Sequence, residues 1–298
     1  MHLSREYKLS YYQYSPSVGA AVLFAVLYSI TFLLAVFQWI RYRAWVWITM
    51  VIAVAMEAIG FISRSISAQH VSERAPYVLQ FSLIILAPVL MAACCYILFG
   101  RILFHIVPPE ARTFQLCWVP PRFITPIFVG FDIVALLLQL GGAVLITSAD
   151  GTSSDAKDKF DRGRNIALIG VIVQMIAFGL FSIAAFRFNF TSKRFAKPVG
   201  EQFEMLESIG ARPGGPRKSA NWNALLRVVN FSTLMILIRS VYRLVEFTEG
   251  KNGYINLHEW CLYVFDALPI LPCAALFVYW HPAKYLPYLG FRLPKHAR

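Results

Sequence analysis

Several charged and amide side chains of this sequence stand inside long apolar runs. Glu57 and Arg64 lie in one run, Asp132 in another, Arg239, Arg243 and Glu246 in a third, and Glu259 and Asp266 in a fourth. Gln80, Gln139 and Gln174 add amides to similar surroundings. A charge at the middle of a hydrocarbon layer costs about 2.5–3.5 kcal/mol on insertion scales, so such groups persist where they pair or face a cavity. Glu57 and Arg64 are seven residues apart, which puts both on one helix face. Arg239, Arg243 and Glu246 follow an i, i+4, i+7 pattern, again one face. Glu259 and Asp266 repeat the seven-residue spacing, with Tyr263 between them. The three stripes can converge inside a helix bundle. Salt bridges that only fix helix register would use the same residues, but their number favours a polar cavity. Glu57, Asp132 and Asp266 could then hold an amine. Arg64, Arg239 and Arg243 could engage a phosphate or hold those acids in place, with Gln80, Gln139, Glu246 and Glu259 completing the candidate binding set.

The elements that must position these groups are membrane spans. Of 298 residues, 58% are hydrophobic and 15% charged, against about 25% charged in soluble domains. The mean hydropathy of +0.57 points the same way. A spanning helix needs about 20 mostly apolar residues, and seven segments qualify, near 18–40, 44–66, 76–100, 123–148, 165–188, 225–247 and 259–280. A closed barrel would need short alternating segments instead. The expected fold is an all-α integral membrane protein, a single seven-transmembrane-helix bundle. The first run is too long for a signal-peptide core and lacks a small-residue cleavage site, so it should remain as a span.

Orientation follows from basic residues. With the N-terminus outside, 17 of the 28 Lys and Arg residues fall on the cytoplasmic side and 8 on the outer side. That asymmetry favours an outer tail over 1–17, a cytoplasmic loop over 189–223 and a cytoplasmic tail over 281–298. The long loop is rich in Pro, Gly and charge, with room for a short helix over 201–209. In this orientation Glu57 sits near mid-membrane, and most of the other buried charges sit in the outer half. Pro88 should kink the third span, while Gly60 and the Gly141-Gly142 pair permit close helix approach.

Several function classes are disfavoured. The net charge of +12 reflects cytoplasmic loops rather than nucleic-acid binding. Cys94, Cys95, Cys117, Cys261 and Cys273 have no disulfide or metal spacing and read as small hydrophobes. His70, His105 and His258 lack metal-hydrolase spacing. No metal and no cofactor is expected. There is no Walker motif, so any pumping would draw on a gradient or another protein.

Several segments resemble fungal lipid-translocating exporters, also called the RTA-like or resistance-to-aminocholesterol family. Glu57-Ala-Ile-Gly60-Phe61-Ile-Ser-Arg64 is similar to its E-x-x-G-Y-x-x-R signature. The stretch from Gln80 to Arg101 resembles its third-span pattern, and Asp132 to Gly142 its D-x-x-x-x-x-x-Q-x-x-G-G pattern. Gly170 to Gln174 resembles its fifth-span motif. The run from Ile238 to Phe247, with Gly250, Glu259 and Asp266, resembles its strongest signature. Phe61 stands where the family usually has Tyr, which puts any role for that hydroxyl in doubt. The resemblance implies seven spans, a plasma-membrane or vacuolar address in a fungus, and transport or export of sphingoid long-chain bases or similar amphiphiles. It also implies resistance to toxic amphiphiles, and a different branch is linked to porphyrin movement. Membrane lipids or amphiphilic small molecules are the implied partners, with the plasma membrane favoured over an endomembrane. A seven-helix receptor or sensor is one alternative, although the inner end of the third span has no acid-Arg-aromatic switch. A membrane-embedded enzyme acting on an apolar substrate is the other.

The orientation can be tested with glycan acceptors. A triplet built into the 150–164 loop should be glycosylated in a fungal host, and the native Asn189-Phe190-Thr191 should not. Sugar on Asn189 would overturn the orientation.

Overall fold

The computed structural model describes Tyr12 and residues 14–107, 121–147, 156–191, 222–249 and 253–284. Among them every regular element is helical, and seven helices are long and apolar enough to cross a membrane. They are α1 (Val18–Tyr42), α2 (Ile48–Gln69), α3 (Arg74–Ile106), α4 (Pro121–Thr147), α5 (Ala156–Thr191), α6 (Trp222–Glu249) and α7 (Glu259–Tyr279). The possible helix over 201–209, Cys117 and most of the 189–223 loop and the 281–298 tail lie outside the described residues.

Local chemistry sets the boundaries. Ser17 opens α1, its hydroxyl accepting the Ala20 N–H at 3.4 Å, as an N-cap residue does. Arg43 ends α1 at φ 47°, and a short 3-10 turn, Trp45–Trp47, leads into α2. Helix α5 begins more than two turns before the apolar run, so part of the expected 150–164 loop is helix. Asp158 in its first turn faces the positive end of the helix dipole. Arg164 then crosses to α6 and donates to the carbonyls of Phe247 and Thr248, two of the last-turn carbonyls that a helix end leaves without partners.

The helices pack in chain order around a ring, closed by α7 against α1, with α3 also reaching α6 across the middle. Gly60 on α2 lets α3 approach so closely that a Cβ there would lie 2.9 Å from Ile84 Cγ1. At the α4–α5 seam, a Cβ on Gly142 would lie 2.5 Å from the Gly163 carbonyl and 2.7 Å from Ala167 Cβ. Gly141 faces open space, so only one member of that pair carries the packing expected of both. The outer surface is apolar: Leu33, Leu137 and Val144 are each more than half exposed. A contiguous surface of this kind suits lipid rather than water.

The two ends of the bundle differ. Toward the C-terminus of α3, rings from α3, α4 and α5 interlock. Tyr96 meets Phe181 edge-on at 4.6 Å, and Phe99 meets Phe188 edge-on at 5.6 Å. Toward the N-terminus of α3, the interior is polar instead.

Gly142→Val should lower thermal stability of the detergent-purified protein by roughly 1–3 kcal/mol through overpacking. Gly141→Val should leave its melting temperature almost unchanged.

Candidate functional site

The site is built around Asp266, and its position follows from two prolines. Pro269 and Pro272 carry no N–H, so the regular α-helical ladder of α7 is interrupted after Phe265 and Leu268. Just before them, Tyr263–Ala267 form a π turn in which the Leu268 N–H bonds to the Tyr263 carbonyl. Such wide turns recur at functional positions. The turn is held from α1, where the Tyr28 hydroxyl donates to the Ala267 carbonyl at 2.8 Å. Tyr28 also stacks on Phe61 at 5.2 Å, so Phe61 acts as a packing surface within an aromatic column.

Asp266 lies inside this turn and is fully buried. Arg239 and Arg243 of α6, one turn apart, each place a guanidinium nitrogen against a different carboxylate oxygen of Asp266. Arg243 also donates to Glu246 at 2.7 Å. Arg239 has a further partner at 2.6 Å, the Ile84 carbonyl of α3. That carbonyl is four residues before Pro88, where a helical N–H would normally reach back to it. The expected kink residue therefore frees an acceptor, and an arginine from another helix takes it.

A second cluster surrounds Arg64. It donates to Glu259 at 2.8 Å, to the Tyr263 hydroxyl at 3.0 Å and to the Tyr14 hydroxyl at 2.9 Å. Tyr263 also donates to Glu259 at 3.0 Å, and the Ser17 N–H donates to the same carboxylate at 2.7 Å. The segment before α1 is thereby fastened to the top of α7. Burial pushes the Tyr14 hydroxyl above its ordinary pKa, with Arg64 pulling against that shift. Tyr12 donates to Ser67 at 2.8 Å and accepts from the Gln80 amide at 2.6 Å.

The two clusters flank a partly open cavity of about 100 Å³. Tyr12, Tyr14, Tyr77, Gln80, Arg64, Arg243 and Glu246 are among its walls. A smaller void of about 20 Å³, beside Pro88, touches Gln139, Gln174, Arg239 and Arg243. The Gln139 amide donates to Gln174 there at 2.9 Å.

The three stripes thus converge. Arg64, Gln80, Arg243 and Glu246 meet at the larger cavity, and Arg239, Asp266 and Glu259 support it from behind. Glu57 is 1% exposed and faces the charges of Arg239, Arg243 and Asp266, without a hydrogen bond or ion pair among the described residues. Asp132 does not join them. It lies between α3 and α4, where the Tyr96 hydroxyl approaches its carboxylate without reaching hydrogen-bond geometry. Tyr12, Tyr14 and Tyr77 were not legible as site residues. For Tyr12 and Tyr14 the signal was a tyrosine-rich stretch just before the first apolar run, and Tyr77 carried none.

This architecture defines a multi-pass membrane protein with a charged interior and a polar cavity at one end. Residues 50–288 match the model of the family described as RTA1 like protein, and the chain belongs to that family. Among its fungal relatives, protoporphyrin uptake protein 1 of Saccharomyces cerevisiae is 35% identical over 216 residues, covering 72% of this chain and 62% of that protein. The probable lipid transporter atnI of Emericella nidulans is 28% identical over 299 residues, covering 96% and 71%. The sphingoid long-chain base transporter RSB1 of Saccharomyces cerevisiae is 23% identical over 289 residues, covering 90% and 72%. The chain spans less than two thirds of the length of the first of these, 62%. No solved structure matches the chain.

Asp266→Asn would take the acid from both buried guanidinium groups, leaving Arg243 its pairing with Glu246 and Arg239 its bond to the Ile84 carbonyl. Removing one member of a buried ion pair typically costs about 3–5 kcal/mol, so this variant should melt well below the wild type in detergent. Glu246→Gln, at the cavity rim, should shift the melting temperature much less.

Proposed function

We propose that this protein moves lipids or other amphiphiles across the membrane, handling the polar head in its charged interior while the apolar tail stays in lipid. The observation that carries this reading is the buried charge network beside a partly open cavity of about 100 Å³. Ion pairs that served only to hold helices together would pack dry. Here the network borders a space wide enough for several waters, since one water needs roughly 10–15 Å³. The apolar outer surface supplies the complementary medium for a tail.

The relatives support the same class of cargo. One is named for sphingoid long-chain bases, one for lipid and one for protoporphyrin. Export of sphingoid-like amphiphiles, with the resistance to toxic amphiphiles that follows, is the specific form we favour. The plasma membrane is the proposed address, with the cavity facing outward.

The test is reconstitution. Purified protein in liposomes should carry a tail-labelled sphingoid base between leaflets several-fold faster than protein-free liposomes do. Equal rates across a range of lipid compositions would sink the reading.

A further inference from the structure

Resting on that reading, we infer that Glu57 is a proton-binding site, the point where a proton enters and leaves the charged centre and so couples lipid movement to a proton gradient. The first observation is a balance of charges. Arg239 and Arg243 are matched by Asp266 and Glu246, and Arg64 is matched by Glu259. Both clusters are neutral as they stand. Glu57 is a further acid with no arginine left to match it.

The second observation is its isolation. Glu57 is 1% exposed and has no hydrogen bond or ion pair among the described residues. The neighbouring Tyr28 hydroxyl of α1 is committed to the Ala267 carbonyl. From α6 it faces Arg239 and Arg243, and from α7 it faces Asp266. Helix α3, packed on α2 at Gly60, brings no charged group to it among the described residues. A carboxyl group deprived of water and of donors takes up a proton rather than carry an uncompensated charge. Glu57 is therefore the neutral acid of the centre.

The third observation is what a change of state there would do. Glu57 and Asp266 lie against the same two guanidinium groups. While Glu57 holds its proton, Asp266 has both arginines to itself. When that proton passes to water, the new carboxylate competes with Asp266 for them. Arg243 lines both voids, so water in either reaches the edge of the network. Arg239 is also bound to the Ile84 carbonyl, so a pull on it is felt in α3. Asp132 likewise lacks a hydrogen-bond partner, but it faces Tyr96 and no arginine among the described residues. A proton there has no guanidinium to release. Acids inside membrane spans serve as proton relays in pumps and transporters.

Infrared difference spectroscopy reads the proton directly. At neutral pH, the spectrum of the full chain in lipid nanodiscs minus that of Glu57→Gln should contain the carbonyl stretch of a protonated carboxyl. Raising the pH of the folded protein should convert that band to a carboxylate band, and acid should restore it. Glu57→Gln copies the neutral acid in shape, so it should melt close to the wild type, unlike Asp266→Asn. A carboxylate band at neutral pH overturns the inference, and so does a protonated band that never responds to pH. Failure of Glu57→Gln to fold overturns it too, because that is how the partner of an ion pair behaves. Coupling is then read in liposomes. An imposed proton gradient should change the wild-type rate for a tail-labelled sphingoid base several-fold, after subtraction of its effect in protein-free liposomes. Glu57→Gln should lose that response. Wild-type movement indifferent to the gradient overturns the inference. Absence of any movement would defeat the translocator reading alone, and the spectra would still decide the proton site.

Discussion

One carboxylate shared by two arginines organises the interior of this protein. In an apolar medium Asp266 cannot stand unpaired, and neither can Arg239 or Arg243. Their mutual requirement fixes the rotation of α6 against α7. The consequences spread outward from that contact. Arg243 carries the link to Glu246 at the cavity rim, and Arg239 carries it to the backbone of α3. The π turn that presents Asp266 is in turn anchored to α1 by Tyr28. Four helices therefore share one electrostatic centre, although none of them is strongly polar overall.

The division between the two ends of the bundle gives that centre its setting. Interlocking rings among α3, α4 and α5 seal one end, whereas the other holds arginines, acids and tyrosines around a cavity. A polar head can be solvated at the second end and finds few partners at the first. On the proposed reading, passage across the whole membrane requires the aromatic end to rearrange. The α4–α5 seam at Gly142 brings those two helices together almost backbone to backbone.

Much of this was legible in the sequence because hydrocarbon leaves few choices. Seven apolar runs of the right length must be helices, and charges inside them must meet. The i, i+4, i+7 stripe of Arg239, Arg243 and Glu246 was enough to aim all three inward. What escaped was everything that depends on a particular neighbour. Asp132 has the same type and setting as Asp266, yet faces a tyrosine rather than an arginine, and nothing local to its span distinguishes it. Tyr12 and Tyr14 lie in a segment that composition assigns to a tail; hydrogen bonds to Ser67, Gln80 and Arg64 bring them inside. The π turn was also hidden, because Pro269 and Pro272 signal a break without saying that the helix widens before it.

The contact between Arg239 and the Ile84 carbonyl has a mechanical meaning. Because Pro88 cannot supply the missing N–H, that carbonyl depends on a side chain from another helix. Withdrawing Arg239 from the centre would strand the carbonyl in an apolar interior. Any movement of α6 that pulls the arginine away must therefore bend α3 toward it or admit water to replace it. The backbone of α3 and the charged centre are thus joined at one point, made by a proline on one side and an arginine on the other.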